Sequence, residues 1–286
     1  PRTSGARSRY VYWHDENEYQ HHRRGAGIMT VPTVNTHPVL LDNVSVDLGG
    51  VRVLENVSFA AGPGTLVGVV GPNGSGKSTL FNAMAGLIPY EEGSISIYGK
   101  PPGEARGHIA YVPQRESVNW RFPVTVSDVV MLGRTRQLGW LRNPRKKDRE
   151  IIQQCLDRVG MWHRRSALMT ELSGGQRQRV FVARALAQEA EILLLDEAFS
   201  GVDVASQESL VAILRDLRDE GTTILLVTHD LTGMAQRLDA CLCLNRHVCC
   251  YGPPEEAFTP EVLQELYGPH GLNSLNIERV HDGHLH

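Results

Sequence analysis

The sequence lacks any long uninterrupted run of apolar residues. Its longest apolar runs, "TLVGVV" at 65–70 and "TILLVT" at 223–228, fall far short of the roughly 20 residues that a helix needs to cross a bilayer. Near its start the sequence also lacks the basic, apolar and small-residue pattern of a secretory signal. These absences predict a chain that spans no membrane and stays in the cytoplasm.

The sequence also has little net charge. Its formal charge of −3 gives no general attraction to nucleic acid, so we expect no nucleic-acid partner. One stretch, "RTRQLGWLRNPRKKDR" at 134–149, is locally basic. A solvated helical surface is the simpler interpretation of that stretch.

Cysteines are few, and their odd number argues against a disulfide framework. Four of the five lie in "CLCLNRHVCC" at 241–250, where the pattern predicts reduced cysteines on two strands. A two-residue turn at Asn245 and Arg246 would place Cys241 opposite Cys250. A disulfide or a metal pair is the alternative interpretation.

With 286 residues, of which 41% are hydrophobic, the chain can bury one large α/β core or two smaller ones. We expect the folded domain at 29–268. The polar residues 1–28 are predicted to be an extension that either is disordered or was added to the protein's own chain, and 269–286 a tail. Histidines in both end segments could bind metal weakly, although a tail without that role is the simpler interpretation.

Hydrophobic periodicity predicts an α/β fold. Two alternating runs between 39 and 60 indicate an antiparallel hairpin, and continuous apolar runs such as "EILLLDEA" and "TTILLVTHD" indicate buried parallel strands. Between these groups, about 115–190 is mostly helical and is predicted to form an inserted helical subdomain. The expected architecture is therefore a sheet core, an N-terminal antiparallel β subdomain and an α-helical insertion.

A glycine-rich loop follows the buried strand "TLVGVV" and precedes a predicted helix. Its residues 71–78 fit the pattern G-x-x-x-x-G-K-[ST] in the required strand-loop-helix context. Glycines allow backbone N–H groups to approach phosphate oxygens, Lys77 would reach the β and γ phosphates of ATP, and the Ser78 hydroxyl would bind Mg²⁺. The loop predicts a site for ATP with magnesium.

Two carboxylates follow another buried strand, "ILLL". Asp196 would provide a second anchor for Mg²⁺, and Glu197 could polarise an attacking water as a general base. We expect the strand of Asp196 to lie beside the strand of the glycine loop. His229, after "TILLVT", would lie at the same edge of the sheet, where ligands gather in open α/β folds.

A second glycine-rich stretch, "ELSGGQRQRV" at 171–180, places a serine and two glycines at the start of a predicted helix, with no lysine among them. The N–H groups at such a start form an anion site. A simple helix cap at Ser173 fits the same residues. Local sequence alone leaves both interpretations open.

Six motifs in this order resemble those of ABC ATPases: 71–78 the Walker A loop, Gln114 in "YVPQ" the Q-loop, "LSGGQ" the signature, "ILLLDE" Walker B, "SGVD" the D-loop and His229 the switch histidine. The resemblance implies a P-loop NTPase fold with a mixed sheet core. It implies catalytic roles for Glu197, His229 and Gln114, magnesium ligation by Ser78, Gln114 and Asp196, and ATP contacts by Gly71, Pro72, Asn73, Gly74, Ser75, Gly76, Lys77, Ser78, Thr79, Ser173, Gly174, Gly175, Gln176 and Asp203.

The same resemblance implies a head-to-tail dimer of two copies. In that family each signature closes over the ATP held by the Walker A loop of the other copy, so "SGG" at 173–175 would serve the partner's nucleotide. ATP would close the dimer and hydrolysis would reopen it.

The stretch "ESVNWRFPVTVSDVVMLGR" at 116–134 is similar to that of ATPases in bacterial importers for manganese, zinc or iron. The resemblance implies a separate membrane permease, which docks on Trp120, Phe122 and Pro123, and an extracellular binding protein that holds the metal. The chain would then sit at the cytoplasmic face of the membrane. Core packing of the same residues, an exporter, and a DNA-maintenance or translation ATPase are the alternatives.

One residue departs from the family pattern. Leu48 in "VDLGG" occupies the place of an aromatic residue that stacks on adenine in many members. Loss of a ring stack costs about 0.5 to 1.5 kcal/mol. We therefore expect a loosely held adenine and poor base selectivity.

Overall fold

The computed structural model describes residues 37–114, 123–139, 143–197, 203–228 and 237–268. Several predicted features lie outside these residues: the segments 1–28 and 269–286, Trp120, Phe122 and His229.

A three-stranded antiparallel sheet forms the first layer. It has the order β2-β1-β4, from β1 (Val39–Leu48), β2 (Val51–Ala61) and β4 (Glu92–Ile97). Gly49 and Gly50 make the β1–β2 turn with φ of 58° and 80°, in the left-handed region that glycine adopts without a steric penalty. This confirms the predicted hairpin.

A six-stranded mixed sheet forms the central layer, in the order β5-β6-β7-β3-β8-β9. All neighbours are parallel except β8 and β9. The strands are β3 (Leu66–Val70), β5 (Ile109–Val112), β6 (Ile192–Leu195), β7 (Thr223–Val227), β8 (Ala240–Asn245) and β9 (His247–Gly252). The mixed sheet confirms the predicted fold class.

The predicted neighbour of the glycine-loop strand was wrong. Strand β7 lies between β3 and β6, so the strand of Asp196 is two positions from β3. Continuous apolar runs show that strands are buried on both faces, but they carry no information about the order of those strands. That order depends on how the connecting helices cross over the sheet.

Helices cover the sheets, and 3-10 turns link some of them. The described α-helices are α1 (Lys77–Met84), α2 (Pro102–Ala105), α3 (Val126–Met131), α4 (Thr135–Leu138), α5 (Lys146–Arg158), α6 (Gly174–Leu186), α7 (Val204–Asp219), α8 (Pro254–Ala257) and α9 (Pro260–Tyr267).

The central sheet separates two hydrophobic clusters. Because side chains alternate along a strand, Val67 and Val69 of β3 point to one face and Leu66 and Val70 to the other. The first face packs on the three-stranded sheet and α1, and the second packs on α3, α5, α6, α7 and the C-terminal helices. Helices α1 and α6 therefore lie on opposite faces of the sheet.

The interpretation of the basic stretch as solvated surface was wrong at its first residue. Arg134 is only 4% exposed and forms ion pairs with Asp148 and Glu189, while its guanidinium also donates to the Ala187 carbonyl. Hydrogen bonds and opposite charges satisfy this buried cation. Asp148 lies within the same stretch, but Ala187 and Glu189 are more than 50 residues away, so local charge patterning could not reveal the burial of Arg134.

The cysteine strands form the predicted hairpin with a different register. Cys241 pairs with Gly252, and Cys243 pairs with Cys250, because a bulge between Cys243 and Leu244 shifts the pairing. The turn centres on a single residue with a positive φ rather than on two residues. All four cysteines lie on the two strands, as predicted, and they are free and buried, as is Cys155.

Candidate active site

The predicted phosphate and magnesium residues meet at the carboxyl edge of the central sheet. Strand β3 leads into the glycine loop, β6 ends just before Asp196, and β5 ends two residues before Gln114. Parallel strands bring their carboxyl ends to one edge, where the crevices of open α/β sheets lie. Thr228, which follows β7, reaches the same edge and donates its N–H to the Val69 carbonyl at 3.3 Å.

The glycine loop is held tightly between two hairpins. A Cβ on Gly71 would lie 2.0 Å from the Leu244 carbonyl oxygen, and one on Gly76 would lie 2.4 Å from a Leu54 methyl carbon. The Arg246 N–H donates to the Ser75 carbonyl at 2.9 Å. Only glycine fits at the two crowded positions, and the close packing fixes the course of the backbone.

Lys77 is buried at the centre of this loop. Its ammonium group donates to the carbonyl oxygens of Gly71 and Pro72, both at 2.8 Å. Burial lowers the pKa of Lys77, while the nearby charges of Glu197 and Asp196 act in the opposite direction. The loop therefore holds a positive charge next to the exposed, uncrowded Gly74, which suits a phosphate ligand.

Asp196 is a desolvated carboxylate that is 2% exposed. One of its oxygens accepts a hydrogen bond from the Tyr111 hydroxyl at 3.2 Å, and the Ser78 side chain also bonds to the carboxylate. The other oxygen is buried without a hydrogen-bond partner among the described residues, as is the Ser75 hydroxyl. Burial raises the pKa of Asp196 despite the two hydrogen bonds.

This arrangement fits a magnesium ion. Mg²⁺ prefers hard oxygen ligands and binds through one or two carboxylates together with substrate phosphates. An unpartnered buried carboxylate oxygen beside the Ser78 hydroxyl supplies that donor set, and a cation would offset the cost of burying the charge of Asp196.

Glu197 is oriented toward Gln114. The side-chain NH₂ group of Gln114 donates to the Glu197 carboxylate. The side-chain oxygen of Gln114 is therefore the atom that remains for a cation. Glu197 has a φ of 51°, a left-handed conformation that is unusual for a residue other than glycine. Such backbone strain clusters at functional sites, where the surrounding structure holds it.

Ser173 and Gln176 form a capping box at the start of α6. The Ser173 hydroxyl accepts from the Gln176 N–H at 3.3 Å, and the Gln176 side chain accepts from the Ser173 N–H at 3.1 Å. Ser173 and Gly174 are exposed, whereas Gly175 is buried. The structure thus shows the cap, and Ser173 and Gly174 leave this helix start exposed to solvent.

Asp203 caps α7 and is exposed. Its carboxylate accepts from the Ser206 N–H at 2.9 Å. The hydrogen bonds from Ser206 lower the pKa of Asp203, with a smaller contribution from Arg179 of α6. The D-loop residue is therefore linked electrostatically to the helix that begins at the signature.

Leu48 lies at the end of β1 and is 42% exposed. It pairs with Val51 across the hairpin turn, and Val51 is also exposed. The hairpin reaches the glycine loop through Leu54, so an exposed aliphatic surface lies on the element that packs against the phosphate site.

The sequence reasoning missed three contributors to the site. Tyr111 donates to Asp196, and burial raises the pKa of its hydroxyl, which keeps the group a donor at neutral pH. Arg246 and Leu54 hold the glycine loop from two other strands. The position of Tyr111 three residues before Gln114 was a usable signal, whereas the other two contacts depend on tertiary structure.

Comparison with known proteins agrees with this geometry. The profile of the ABC transporter family matches residues 54–200. The chain is 45% identical to the manganese transport system ATP-binding protein MntB of Halalkalibacterium halodurans, across 80% of this chain and 91% of that protein. It is 39% identical to the zinc transport system ATP-binding protein TroB of Treponema pallidum, across 89% of this chain and 97% of that protein.

Solved structures show the same fold. A chain of a transporter described as of the metal-chelate ABC type, in an inward-facing conformation, superposes with a TM-score of 0.73 at 29% identity, across 81% of this chain and 89% of that chain. The nucleotide-free ATP-binding cassette of an ABC transporter superposes with a TM-score of 0.71 at 23% identity, across 80% and 98%. This chain therefore belongs to the ABC transporter family and is one of its ATP-hydrolysing subunits.

Proposed function

We propose that the chain is the ATPase of an importer for a divalent metal ion, of the manganese, zinc or iron class. Relatives that carry such names support the substrate class. The observation that carries the catalytic part is the meeting of Lys77, the desolvated Asp196 and the oriented Glu197 at one edge of the sheet.

In this proposal the glycine loop and Lys77 bind the ATP phosphates. Ser78, Asp196 and the Gln114 oxygen hold Mg²⁺, which neutralises charge on the β and γ phosphates when it is bound. Glu197 accepts a proton from the attacking water, and Gln114 keeps its carboxylate in position. His229 is assigned to the same edge by its motif and lies outside the described residues.

We infer that two copies form the complete site. Helix α6, which begins after Ser173, and helix α1, which begins after the glycine loop, pack on opposite faces of the central sheet. The side-chain hydrogen bonds of Ser173 and Gln176 stay within their own capping box. A helix start presented away from the loop of its own chain suits the phosphate of a second copy.

Transport in this proposal depends on a separate permease. No helix in the described part of the chain is long and apolar enough to span a bilayer. The permease would dock near Trp120, Phe122 and Pro123, of which the exposed Pro123 is within the described residues. The chain would then be held at the cytoplasmic face, and an extracellular binding protein would select the metal.

The catalytic role is tested by Glu197→Gln. We expect ATP affinity to stay within about threefold of wild type and phosphate release to fall at least about 100-fold, since a general base contributes 10²–10⁴-fold. A dimer should accumulate with ATP and Mg²⁺ in size-exclusion chromatography. Glu191→Gln, an exposed acid at the other end of β6, is the matched control. Near wild-type hydrolysis in Glu197→Gln would remove this residue from catalysis.

Lys77→Ala separates binding from chemistry. This variant should lose at least about tenfold in affinity for a fluorescent ATP analogue, equivalent to about 1.4 kcal/mol. Lys100→Ala, in an exposed position beyond β4, should bind as wild type does.

The transport role is tested by reconstitution with the permease in liposomes. ATPase activity should rise with a binding protein loaded with Mn²⁺, Zn²⁺ or Fe²⁺. Stimulation by DNA or ribosomes instead would contradict the proposal.

A further inference from the structure

Three side chains from two elements, β9 and α9, converge beside the last hairpin. His247 opens β9, Cys249 lies two residues further along that strand, and Glu265 lies on α9. One potential ligand atom from each lies within 4.8 Å of the other two. The His247 Nε2 atom is 3.3 Å from a Glu265 oxygen and 3.8 Å from the Cys249 sulfur.

A β-bulge produces this convergence. Val248 pairs with Leu244 and Cys250 pairs with Cys243, which leaves Cys249 as the extra residue of the strand. Bulges redirect side chains. Here Cys249 and Cys250 both pack in the cluster that contains α9, whereas Val248 and Tyr251 on either side pack in the opposite cluster.

The spacing matches the ligands of a tetrahedral cation. Zn–N and Zn–O bonds of about 2.0–2.1 Å at tetrahedral angles place nitrogen and oxygen about 3.3 Å apart, and a Zn–S bond of about 2.3 Å places sulfur and nitrogen about 3.6 Å apart. The separations in the protein are 3.3 Å and 3.8 Å. The Cys249 sulfur and the Glu265 oxygen also lie within 4.8 Å of each other, so side-chain movements alone would bring all three ligands onto one ion.

We propose that His247, Cys249 and Glu265 form a Zn²⁺ site that joins the C-terminal helix to the last hairpin. A thiolate, an imidazole and a carboxylate form a mixed donor set that suits Zn²⁺, whereas Mn²⁺ and Mg²⁺ favour sites made of oxygen. Water would complete the coordination, because His247 and Glu265 are exposed. The site uses none of the residues assigned to ATP and does not depend on which metal is transported.

Cobalt absorption tests the proposal on the full chain. Co²⁺ bound to a thiolate gives a sulfur-to-metal charge-transfer band in the near ultraviolet, which Zn²⁺ should remove by displacement. All five cysteines lie between 155 and 250. Histidines of the end segments therefore cannot produce this band, even if they bind cobalt.

We expect Cys249→Ser to abolish the band and His247→Ala and Glu265→Gln each to weaken Zn²⁺ binding at least about tenfold, in line with the loss of a ligand. Cys250→Ser is the matched control, because the Cys250 thiol is next to Cys249 in the sequence and faces the same layer. This variant should retain the charge-transfer band. Because His247 and Glu265 are exposed, substitutions at these positions should leave the fold intact, and the two variants then report metal binding alone. Absence of the band in the wild type, its persistence in Cys249→Ser, or unchanged Zn²⁺ affinity in the other two variants would overturn the proposal.

Discussion

At the scale of single residues, burial controls the charge of Asp196. Taking a carboxylate out of water disfavours its ionised form, and this effect outweighs the hydrogen bonds from Ser78 and Tyr111, so the pKa of Asp196 is raised. The buried Asp196 carboxylate is positioned for a cation, but its burial lowers the stability of the nucleotide-free fold. Function and stability therefore oppose each other at this position.

Asp196→Asn should increase the free energy of unfolding of the nucleotide-free protein. An acid whose pKa is higher in the folded state destabilises the fold above that pKa, and the effect vanishes below the unfolded pKa. The gain should therefore be seen in urea denaturation at neutral pH and disappear in acid. The same variant should lose the added stability that Mg²⁺ and ATP give the wild type.

Asp203→Asn is the control, and it should decrease the free energy of unfolding at neutral pH. Hydrogen bonds from Ser206 lower the pKa of Asp203, so its ionised form stabilises the fold. That stabilisation is present above the unfolded pKa and is lost as the pH falls through the folded pKa. Equal effects of the two substitutions at neutral pH would contradict this electrostatic account.

Leu48→Tyr should tighten ATP binding by about 3- to 10-fold, the equivalent of one ring stack. Leu48 is exposed at the hairpin that packs on the glycine loop, so a ring there has room to meet a base. Fluorescent titration with ATP and GTP measures the change. Leu87→Tyr, which adds the same ring at an exposed position beyond α1, should change neither affinity. Unchanged ATP affinity in Leu48→Tyr means that the hairpin does not contact adenine.

At the scale of elements, the start of α6 combines a structural cap with a proposed phosphate contact. Ser173→Ala should cost about 1 kcal/mol of stability through loss of the cap and should also abolish most ATP hydrolysis. Thr125 forms an equivalent capping box at the start of α3 with Asp128. Thr125→Ala should cost a similar stability in thermal unfolding and leave the ATPase activity of the isolated subunit intact. If both variants lose ATPase activity to the same extent, Ser173 acts only as a helix cap.

Elements with local signals could be predicted from the sequence, and those that depend on long-range pairing could not. The glycine loop carries its strand, turn and helix within about twenty residues, so its conformation follows from local chemistry. The cysteine hairpin was recognisable from alternation, but its one-residue turn at Arg246 and its bulge each shifted the register by one residue, which moved the partner of Cys241 from Cys250 to Gly252. A one-residue change in register has no signature in a short apolar run.

The candidate site shows the same division. Lys77, Ser78 and Asp196 were identified from their motifs, and the structure brings them to one edge. The position of β7 between β3 and β6 and the pairing of the buried Arg134 with Glu189 were not accessible, because both depend on packing between segments far apart in the sequence. Motifs located the residues of the candidate site, whereas strand order and buried ion pairs require the fold.

At the scale of the whole molecule, the central sheet separates the element proposed to hold the nucleotide from the element proposed to complete its site. The glycine loop and α1 belong to one face, and α6 with the helical layer belongs to the other. An Arg158–Glu220 ion pair joins α5 to the end of α7, which ties the helical layer to the core. ATP can drive closure of two copies only through a higher affinity for the closed state than for the open one.

The most direct test is a structure of the Glu197→Gln variant with ATP and Mg²⁺. The account predicts that the Ser173 hydroxyl lies at hydrogen-bond distance, about 3 Å, from the γ-phosphate held by the glycine loop of the other copy. A Ser173 that is remote from every triphosphate in the closed assembly, or that contacts the ATP of its own chain, would contradict it.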